Sequence, residues 1–309
     1  MAETKIKTPK KSKSYLKQRI NQGTLFCVPA ILLTAAMVVA PLIYVIYLSF
    51  HQWNGAFNKE PVFVGFEKYA SLPSTIGFAD MLKFTLFFAI VVTFLVVGIA
   101  LVVAFALDKP KGKHINRSFL RACWYVPALI GGTAVGIVWR IMYNYNNGIM
   151  NELVKMMGGQ PVNWLETIGV TNWAVIVAQV WVMMGMCIII FLAGLQSIPQ
   201  ELYEAATIDG ATAMQQRMKI AIPMLAPSIT INFITTSISA FKAYELPYTI
   251  SKGLPGYTTH LVTQMIRQYT FESMDYGKGA ALSVLLLLII FAIQLIQLVV
   301  LQKREEVYD

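Results

Sequence analysis

Charged residues are scarce in this chain of 309 residues. Asp, Glu, Lys and Arg make up 13% of it, against about 25% in soluble domains, whereas 56% is hydrophobic and the mean hydropathy is +0.58. The length alone would suit two soluble domains, but long apolar runs exclude that class and indicate a membrane protein. The net charge of +9 does not indicate nucleic acid as a partner, because the basic residues cluster at the ends of the apolar runs.

Cysteines and the motifs of nucleotide and metal chemistry are also few or missing. The three cysteines lie within apolar stretches, so we predict buried small hydrophobes rather than disulfides or a zinc site: Cys27, Cys123 and Cys187. There is no G-x-x-x-x-G-K-[ST] phosphate loop, no G-x-S-x-G elbow and no H-E-x-x-H pair. We therefore expect a chain that is not an enzyme, holds no metal or cofactor, and takes energy for any transport from elsewhere.

Six apolar runs are long enough to cross a bilayer, which takes about 20 helical residues. The sequence therefore predicts an all-α integral membrane protein with six transmembrane helices. The predicted spans are about 26–50, 84–107, 123–143, 173–196, 226–250 and 279–301. The other predicted parts are a basic N-terminal segment, a polar loop and a tail: 1–25, 197–222 and 302–309.

The distribution of Lys and Arg predicts how the chain is oriented. An even number of spans puts both termini on one side of the membrane. Sixteen of the 25 Lys and Arg residues then lie on the side of the termini and five on the other, while the rest lie within or beside spans. By the positive-inside rule, the termini and loop 197–222 are predicted to be cytoplasmic.

The polar loop itself has the pattern of a helical hairpin. Pro199 can open a first helix, because its missing N–H would have no partner there. The pair Asp209-Gly210 breaks that helix, and Gly210 is suited to a positive φ at the reversal. A second helix is predicted from about Ala211 until Pro223.

This loop resembles the EAA loop of permease subunits in binding-protein-dependent ABC importers. The resemblance rests on the spacing of Glu204-Ala205-Ala206, Gly210, Ile220, Ile222 and Pro223, with Ile222 in place of the usual Leu. The flanking stretches 192–199 and 209–211 look like the maltose-type carbohydrate branch of that family. The resemblance covers roughly residues 25–300.

The resemblance implies a type I, MetI-like permease in a prokaryotic cell membrane. Such a subunit pairs with a second homologous permease, a dimer of cytoplasmic ABC ATPases that bind ATP and Mg, and an extracellular or periplasmic solute-binding protein. The loop is then the hairpin that couples to the ATPase, where the family's Glu meets a basic residue. The residues carried over to this role are Glu204, Ala205, Ala206, Asp209, Gly210, Ala211 and Pro223.

Polar residues inside apolar spans indicate a substrate pathway, because such residues are costly in lipid. Gln179, Met183 and Met186 share one face of the fourth span, and the fifth span is rich in hydroxyls. The predicted pathway residues are Gln179, Trp181, Met183, Met186, Thr236, Ser239, Lys242, Tyr244 and Glu245. Two alternatives stay open: the hydroxyls can serve helix packing, and Lys242 can pair with Glu245 three residues on.

The predicted function is that of a permease subunit for a sugar or oligosaccharide. A permease for glycerol-phosphate or polyamine is the alternative within the family. An ion-coupled secondary transporter would need buried carboxylates, and the spans offer only Glu245 near an end. The Gly-Gly-Pro-Gly loop of the family is Gly253-Leu254-Pro255-Gly256 here, which weakens any transfer of binding-protein contacts.

Overall fold

The computed structural model describes residues 26–56, 58–108 and 117–305, which form a bundle of helices. The helices are α1 (Phe26–Leu48), α2 (Glu67–Ala70), α3 (Phe78–Asp108), α4 (Arg117–Leu129), α5 (Gly132–Met142), α6 (Ile149–Met156), α7 (Val170–Ser197), α8 (Gln200–Ile208), α9 (Ala213–Met224), α10 (Ala226–Phe241), α11 (Glu245–Ser251), α12 (Val262–Arg267) and α13 (Tyr276–Glu305). A short antiparallel ribbon in the loop between α1 and α2 pairs β1 (His51–Gln52) with β2 (Val62–Phe63). The N-terminal segment 1–25 lies outside the described residues, as do most of the basic loop after α3 and the end of the tail.

Long α3 and α7 form the centre of the bundle. Both bury an apolar stripe at helical spacing, which includes Phe88, Val92 and Val96 on α3 and Ile188 and Phe191 on α7. Hydroxyls within α3 donate to the carbonyl four residues earlier, so they need no partner from lipid. By contrast, most side chains of α1 are exposed, and α13 is buried near its start but exposes much of its second half, which leaves these surfaces for lipid or another subunit.

Among the residues that the structure describes, four helices are long and apolar enough to cross a membrane, or six if each bent pair counts as one span. The first bent pair is α4 and α5, which meet at 100°, so the predicted third span 123–143 is not one straight helix. Pro127 lies in the last turn of α4, which ends at Leu129. Gly131 follows with an extended ψ of 140°, and α5 then starts in a new direction. The second pair is α9 and α10, bent by 65°.

The predicted fifth span 226–250 is also divided. Helix α10 ends at Phe241, and Tyr244 leaves the helical region with φ −140° and ψ −60° before α11 begins. Lys242 and Glu245 therefore lie on either side of a break, and they form no ion pair with each other in the described part of the chain. The alternative that they pair as on a continuous helix is wrong.

Two π turns directly precede prolines, one inside the first predicted span and one just before the fifth. In α1 the Ala40 N–H donates to Ala35 O, five residues back, and Pro41 follows. In α9 the Ile222 N–H donates to Arg217 O in the same way, and Pro223 follows. Because proline has no N–H and its ring crowds the preceding turn, the helix widens locally and continues.

The cysteine prediction holds for one residue of three. Cys187 on α7 is buried, whereas Cys27 and Cys123 are exposed. They lie on faces of α1 and α4 that point away from the rest of the chain, and an apolar neighbourhood in sequence does not distinguish those faces from the core.

Candidate functional site

A cavity lies between α7, α10 and the end of α4, and we refer to it as the α7–α10 cavity. Its volume is about 410 Å³. The lining residues are Ala128, Val182, Met183, Met186, Cys187, Ile190, Asn232, Thr235, Thr236 and Ser239. The structure thus brings together four of the predicted pathway residues, the two methionines and the pair Thr236 and Ser239.

The polar wall of the cavity is built around Asn232, which the predicted site did not include. Asn232 is fully buried, and its Nδ2 donates to Cys187 O at 3.4 Å. Its Oδ1 has no hydrogen-bond partner within the described structure. Thr236 Oγ1 lies 3.2 Å from Cys187 Sγ, and Thr235 Oγ1 donates to Ile231 O at 2.7 Å. The amide oxygen is therefore an acceptor in this wall that no described donor satisfies.

The other predicted pathway residues do not line this cavity. Gln179 is buried on α7 with its Oε1 unpartnered, and the Trp181 ring packs against Trp139 at 5.7 Å. Lys242, Tyr244 and Glu245 lie at the break between α10 and α11, beyond the end of α10 that carries Ser239. The break changes the direction of the chain, so spacing along one helix could not predict where they point.

An aromatic and charged cluster follows this break. The Tyr244 and Tyr248 rings stack with centroids 5.5 Å apart. Arg267 Nη2 donates to the Tyr248 hydroxyl at 2.9 Å, its guanidinium lies 4.7 Å from the centre of that ring, and Arg267 is also ion-paired with Glu272. Tyr248 and Arg267 were missed in the sequence, because they come from segments that meet only through the fold.

At the other end of the bundle, residues 199–222 form a compact helical hairpin that we call the hairpin. Pro199 caps α8, and Gly210 has a φ of 77°, the left-handed value that suits glycine. Thr212 and Gln215 form a capping box at the start of α9. Gln216 Nε2 donates to Thr207 Oγ1 at 2.9 Å, which ties the second arm to the first.

The hairpin exposes both small and large side chains. Glu204, Ala205 and Asp209 are exposed, and Glu204 Oε1 accepts a hydrogen bond from Gln200 at 3.0 Å. The predicted site missed an apolar group that is also exposed: Leu202, Ile208, Met214 and Met218. Exposed apolar side chains on a polar segment mark an interaction surface. The signal that could have identified them in the sequence is their apolar character within the polar loop 197–222.

Between the hairpin and the helix bundle lies a second cavity of about 560 Å³. Asp108 at the end of α3, Gln200 and Gln216 contribute polar groups to its walls. The Arg217 guanidinium lies 5.7 Å from the centre of the Phe105 ring on α3. This cation–π contact connects the base of the hairpin to the central helix.

Comparison with known proteins agrees with this architecture. Residues 78–306 match the family model described as "Binding-protein-dependent transport system inner membrane component". The chain is 32% identical to a probable starch degradation products transport system permease protein of Thermoanaerobacterium thermosulfurigenes, over 91% of this chain and 94% of the relative. It is 30% identical to a trehalose/maltose transport system permease protein of Thermococcus litoralis, over 92% and 95%.

A solved structure shares the fold. It is a bacterial ABC transporter involved in the import of the acidic polysaccharide alginate, with a TM-score of 0.80 and 20% identity, covering 93% of this chain and 98% of that one. The fold is thus the MetI-like fold of type I ABC importer permeases. With the family match across most of the chain, this protein belongs to the inner membrane components of binding-protein-dependent transport systems, and it is a multi-pass membrane transport subunit rather than an enzyme.

Proposed function

We propose that this chain is a permease subunit that forms part of the translocation pathway for a neutral sugar or oligosaccharide, and that the α7–α10 cavity is where the sugar passes. The observation that carries the proposal is the cavity wall, which combines the free Asn232 Oδ1 with hydroxyls and with methionine side chains. Sugars present hydroxyl donors and apolar ring faces, and such a mixed wall suits both. The sugar-transport relatives support the same class of substrate.

The charge of the cavity separates the alternatives. Every residue that lines it in the described structure is uncharged. Glycerol-phosphate would need a cationic partner and a polyamine an anionic one, because burying an unpaired charge is expensive. The same reasoning argues against an acidic polysaccharide such as the one carried by the structural relative. A neutral sugar needs no countercharge.

The hairpin is the proposed docking site for a cytoplasmic ATPase subunit. Glu204, Ala205, Ala206, Asp209, Gly210 and Ala211 form its tip and first arm, and Pro223 lies where α9 turns towards the membrane. The exposed apolar group around this tip supports docking, because it would otherwise face water. ATP and Mg would bind on the ATPase subunits. This assignment places the hairpin and both termini in the cytoplasm.

The remaining partners follow from the family. A structure of the alginate transporter contains a periplasmic protein bound to oligosaccharide. We propose that a solute-binding protein meets this chain at the end opposite the hairpin, and that a second homologous permease covers exposed faces of its helices. An ion-coupled transporter would not need either partner.

Uptake measurements test the sugar pathway. Cells or proteoliposomes with the assembled importer would be offered labelled maltose and trehalose, with glycerol 3-phosphate and spermidine as the competing substrates. Asn232→Leu and Ser239→Ala should reduce sugar uptake at least about tenfold and threefold, matching the loss of about 1.4 and 0.7 kcal/mol of hydrogen bonding. Ser283→Ala on α13, a hydroxyl outside the cavity, is the matched control.

Co-purification of the ATPase must persist in all three variants, so that lost uptake reports the pathway and not failed assembly. Wild-type sugar uptake by both cavity variants would overturn the pathway assignment. Uptake of spermidine or glycerol 3-phosphate in place of either sugar would overturn the substrate class.

A further inference from the structure

A small polar groove lies where α3 and α7 reach the end of the bundle opposite the hairpin. It encloses about 230 Å³ and is lined by Asp80, Lys83, Phe84, Phe87, Asn172 and Thr258. Asn172 Nδ2 donates to Thr258 O at 3.3 Å. The Asn172 Oδ1 and Thr258 Oγ1 atoms are buried and have no hydrogen-bond partner within the described structure. A buried polar atom without a partner costs free energy, so the groove is suited to a polar ligand.

The groove also holds two opposite charges that do not neutralise each other. Asp80 and Lys83 lie one turn apart on α3, and neither forms an ion pair with any residue that the structure describes. From Phe84 to Leu107 the helix carries no charged residue. Asp80 and Lys83 therefore lie just beyond the hydrocarbon core, at the level of lipid head groups.

An apolar track leads from this groove into the membrane. Phe87, Ile90 and Phe94 follow one another on α3, and they are 43%, 52% and 62% exposed. The Trp173 ring packs edge-on against Phe87 at 5.9 Å. Ile90 and Phe94 line a mostly apolar cavity of about 340 Å³ between α3, α10 and α13, with Ser237 and Gln297 among its few polar residues. From Phe84 to Phe94 the helix rises about 15 Å, which is half the thickness of the hydrocarbon core.

This track is separate from the α7–α10 cavity. On α10 it uses Phe233 and Ser237, whereas the α7–α10 cavity uses Asn232, Thr235 and Ser239. At 100° per residue these two sets lie on different sides of the helix. The track therefore opens at the periphery of the bundle, where the protein meets lipid or a neighbouring subunit.

We propose that the groove and the track form one binding site for a glycerophospholipid with a phosphoethanolamine head group, from the leaflet opposite the hairpin. The ammonium group donates to the Asp80 carboxylate and to Asn172 Oδ1. The phosphate accepts from Lys83 and from the Thr258 hydroxyl. One acyl chain lies along Phe87, and the apolar cavity receives its end.

The chemistry selects this head group. A choline head group has no N–H to donate to Asp80 and Asn172, and a glycerol head group has no cation to face Asp80. Phosphoethanolamine carries both a hydrogen-bonding cation and an anion. These match the Asp80 carboxylate and the Lys83 ammonium, which lie one turn apart on α3. This site does not depend on which substrate the importer carries.

Lipid retention by the intact importer tests the site. The complex would be purified in mild detergent, exchanged with phosphatidylethanolamine, phosphatidylcholine or phosphatidylglycerol of identical acyl chains, and analysed by native mass spectrometry. We expect phosphatidylethanolamine to be retained at least fivefold more than either other lipid. Asp80→Asn and Lys83→Gln should each reduce that preference at least threefold. The matched controls are Glu67→Gln and Lys59→Gln, which change exposed charges outside the groove.

A further variant tests the acyl track separately. Ile90→Ser should lower retention of all three lipids without changing the preference among them, because it shortens the apolar contact and leaves the groove intact. Equal retention of the three lipids by the wild type, or an unchanged preference in both groove variants, would mean annular lipid only. A disulfide cross-link from Ile90→Cys to a cysteine introduced in the second permease would show a protein neighbour there and would also overturn the proposal.

Discussion

The hairpin and the α7–α10 cavity leave opposite kinds of group without a partner. In the hairpin, polar side chains hydrogen-bond to one another and apolar side chains are exposed. In the cavity, a buried amide oxygen has no hydrogen-bond partner within the described structure. Thr212, Gln215 and Gln216 close the hairpin with internal hydrogen bonds while Ile208 is 87% exposed. Asn232 in the cavity is fully buried, and its Oδ1 accepts no hydrogen bond from the part of the chain that the structure describes. A surface for a lasting protein contact can expose apolar area, while a passage for a hydrated sugar needs polar atoms that await a transient partner.

The largest expected effect comes from the turn of the hairpin. In Gly210→Val a β-branched residue would have to adopt the φ of 77°, which costs about 1–2 kcal/mol or forces the turn to change. Glu204→Lys reverses the charge at the proposed ATPase contact. We expect each to reduce ATPase co-purification or sugar-stimulated hydrolysis at least about tenfold, equivalent to 1.4 kcal/mol.

Gly158→Val is the matched control for the turn. Gly158 also has a positive φ, 81°, with open space around it, but it lies in the loop between α6 and α7, at the end of α7 away from the hairpin. It should show the strain of the substitution without loss of coupling. If both hairpin variants show wild-type co-purification and hydrolysis, the hairpin is an ordinary surface loop and not the coupling site.

The exposed apolar group of the hairpin gives the next effect. Met214→Glu and Met218→Glu place a charge on side chains that are 64% and 58% exposed, so the isolated permease should fold as before. Docking would then have to bury the charge, and we expect ATPase affinity to fall about five- to thirtyfold, or 1–2 kcal/mol. Met157→Glu, at a still more exposed position in the loop after α6, should change nothing. Binding titration of purified ATPase to permease complexes measures this, and equal affinities would limit the docking surface to Glu204 and its neighbours.

The next effect concerns the close packing of α5 against α11. A Cβ on Gly136 would lie 2.6 Å from Thr249 Cβ, so Gly136→Val forces α5 away from α11. Overpacking of this kind costs about 1–3 kcal/mol, and we expect a lower thermal unfolding midpoint of the complex together with reduced uptake. Gly98→Val on α3 has open space at its Cβ and should leave the midpoint unchanged. A midpoint shift of the same size in both variants would remove the evidence for close α5–α11 packing.

The smallest effect concerns the loop between α11 and α12. Burial lowers the pKa of His260 below the ordinary value of 6.5, and its Nε2 lies 3.1 Å from Gly253 O. Because the unfolded loop binds a proton more readily than the folded one, stability is full above pH 6.5 and declines as the pH falls below it. His260→Gln keeps a donor for Gly253 O without titrating, so unfolding midpoints of the complex should be less pH-dependent than in wild type between pH 7.5 and 5.5. Identical pH profiles would show that His260 does not contribute to the pH dependence of stability.

Much of the hairpin could be predicted from sequence, because its determinants are local. Pro199 opens the helix where no N–H partner exists, and Gly210 takes the φ that other residues avoid. The apolar side chains beside them were overlooked, although they stand out in a polar island. The coupling role of this segment stays a prediction that the proposed variants test.

The cavity could be predicted only in part. Met183 and Met186 on α7 and Thr236 and Ser239 on α10 share faces that helical periodicity defines. Periodicity does not show which face of α10 meets α7, so Asn232 was left out. Tyr244 and Glu245 were included because the break after Phe241 gave no clear signal in the sequence.

By itself, the sequence determined the membrane class, the all-α fold, the long apolar helices and the hairpin, since hydropathy, helix period and capping act over a few turns of chain. Tertiary structure alone decided the bends at Gly131 and after Phe241, the free oxygen of Asn232, and the meeting of Asp80 with Thr258. These features depend on which helix faces pack together and on segments far apart in the chain. The free energy of packing, summed over the whole bundle, determines which faces pack together, and a local sequence pattern does not contain that information.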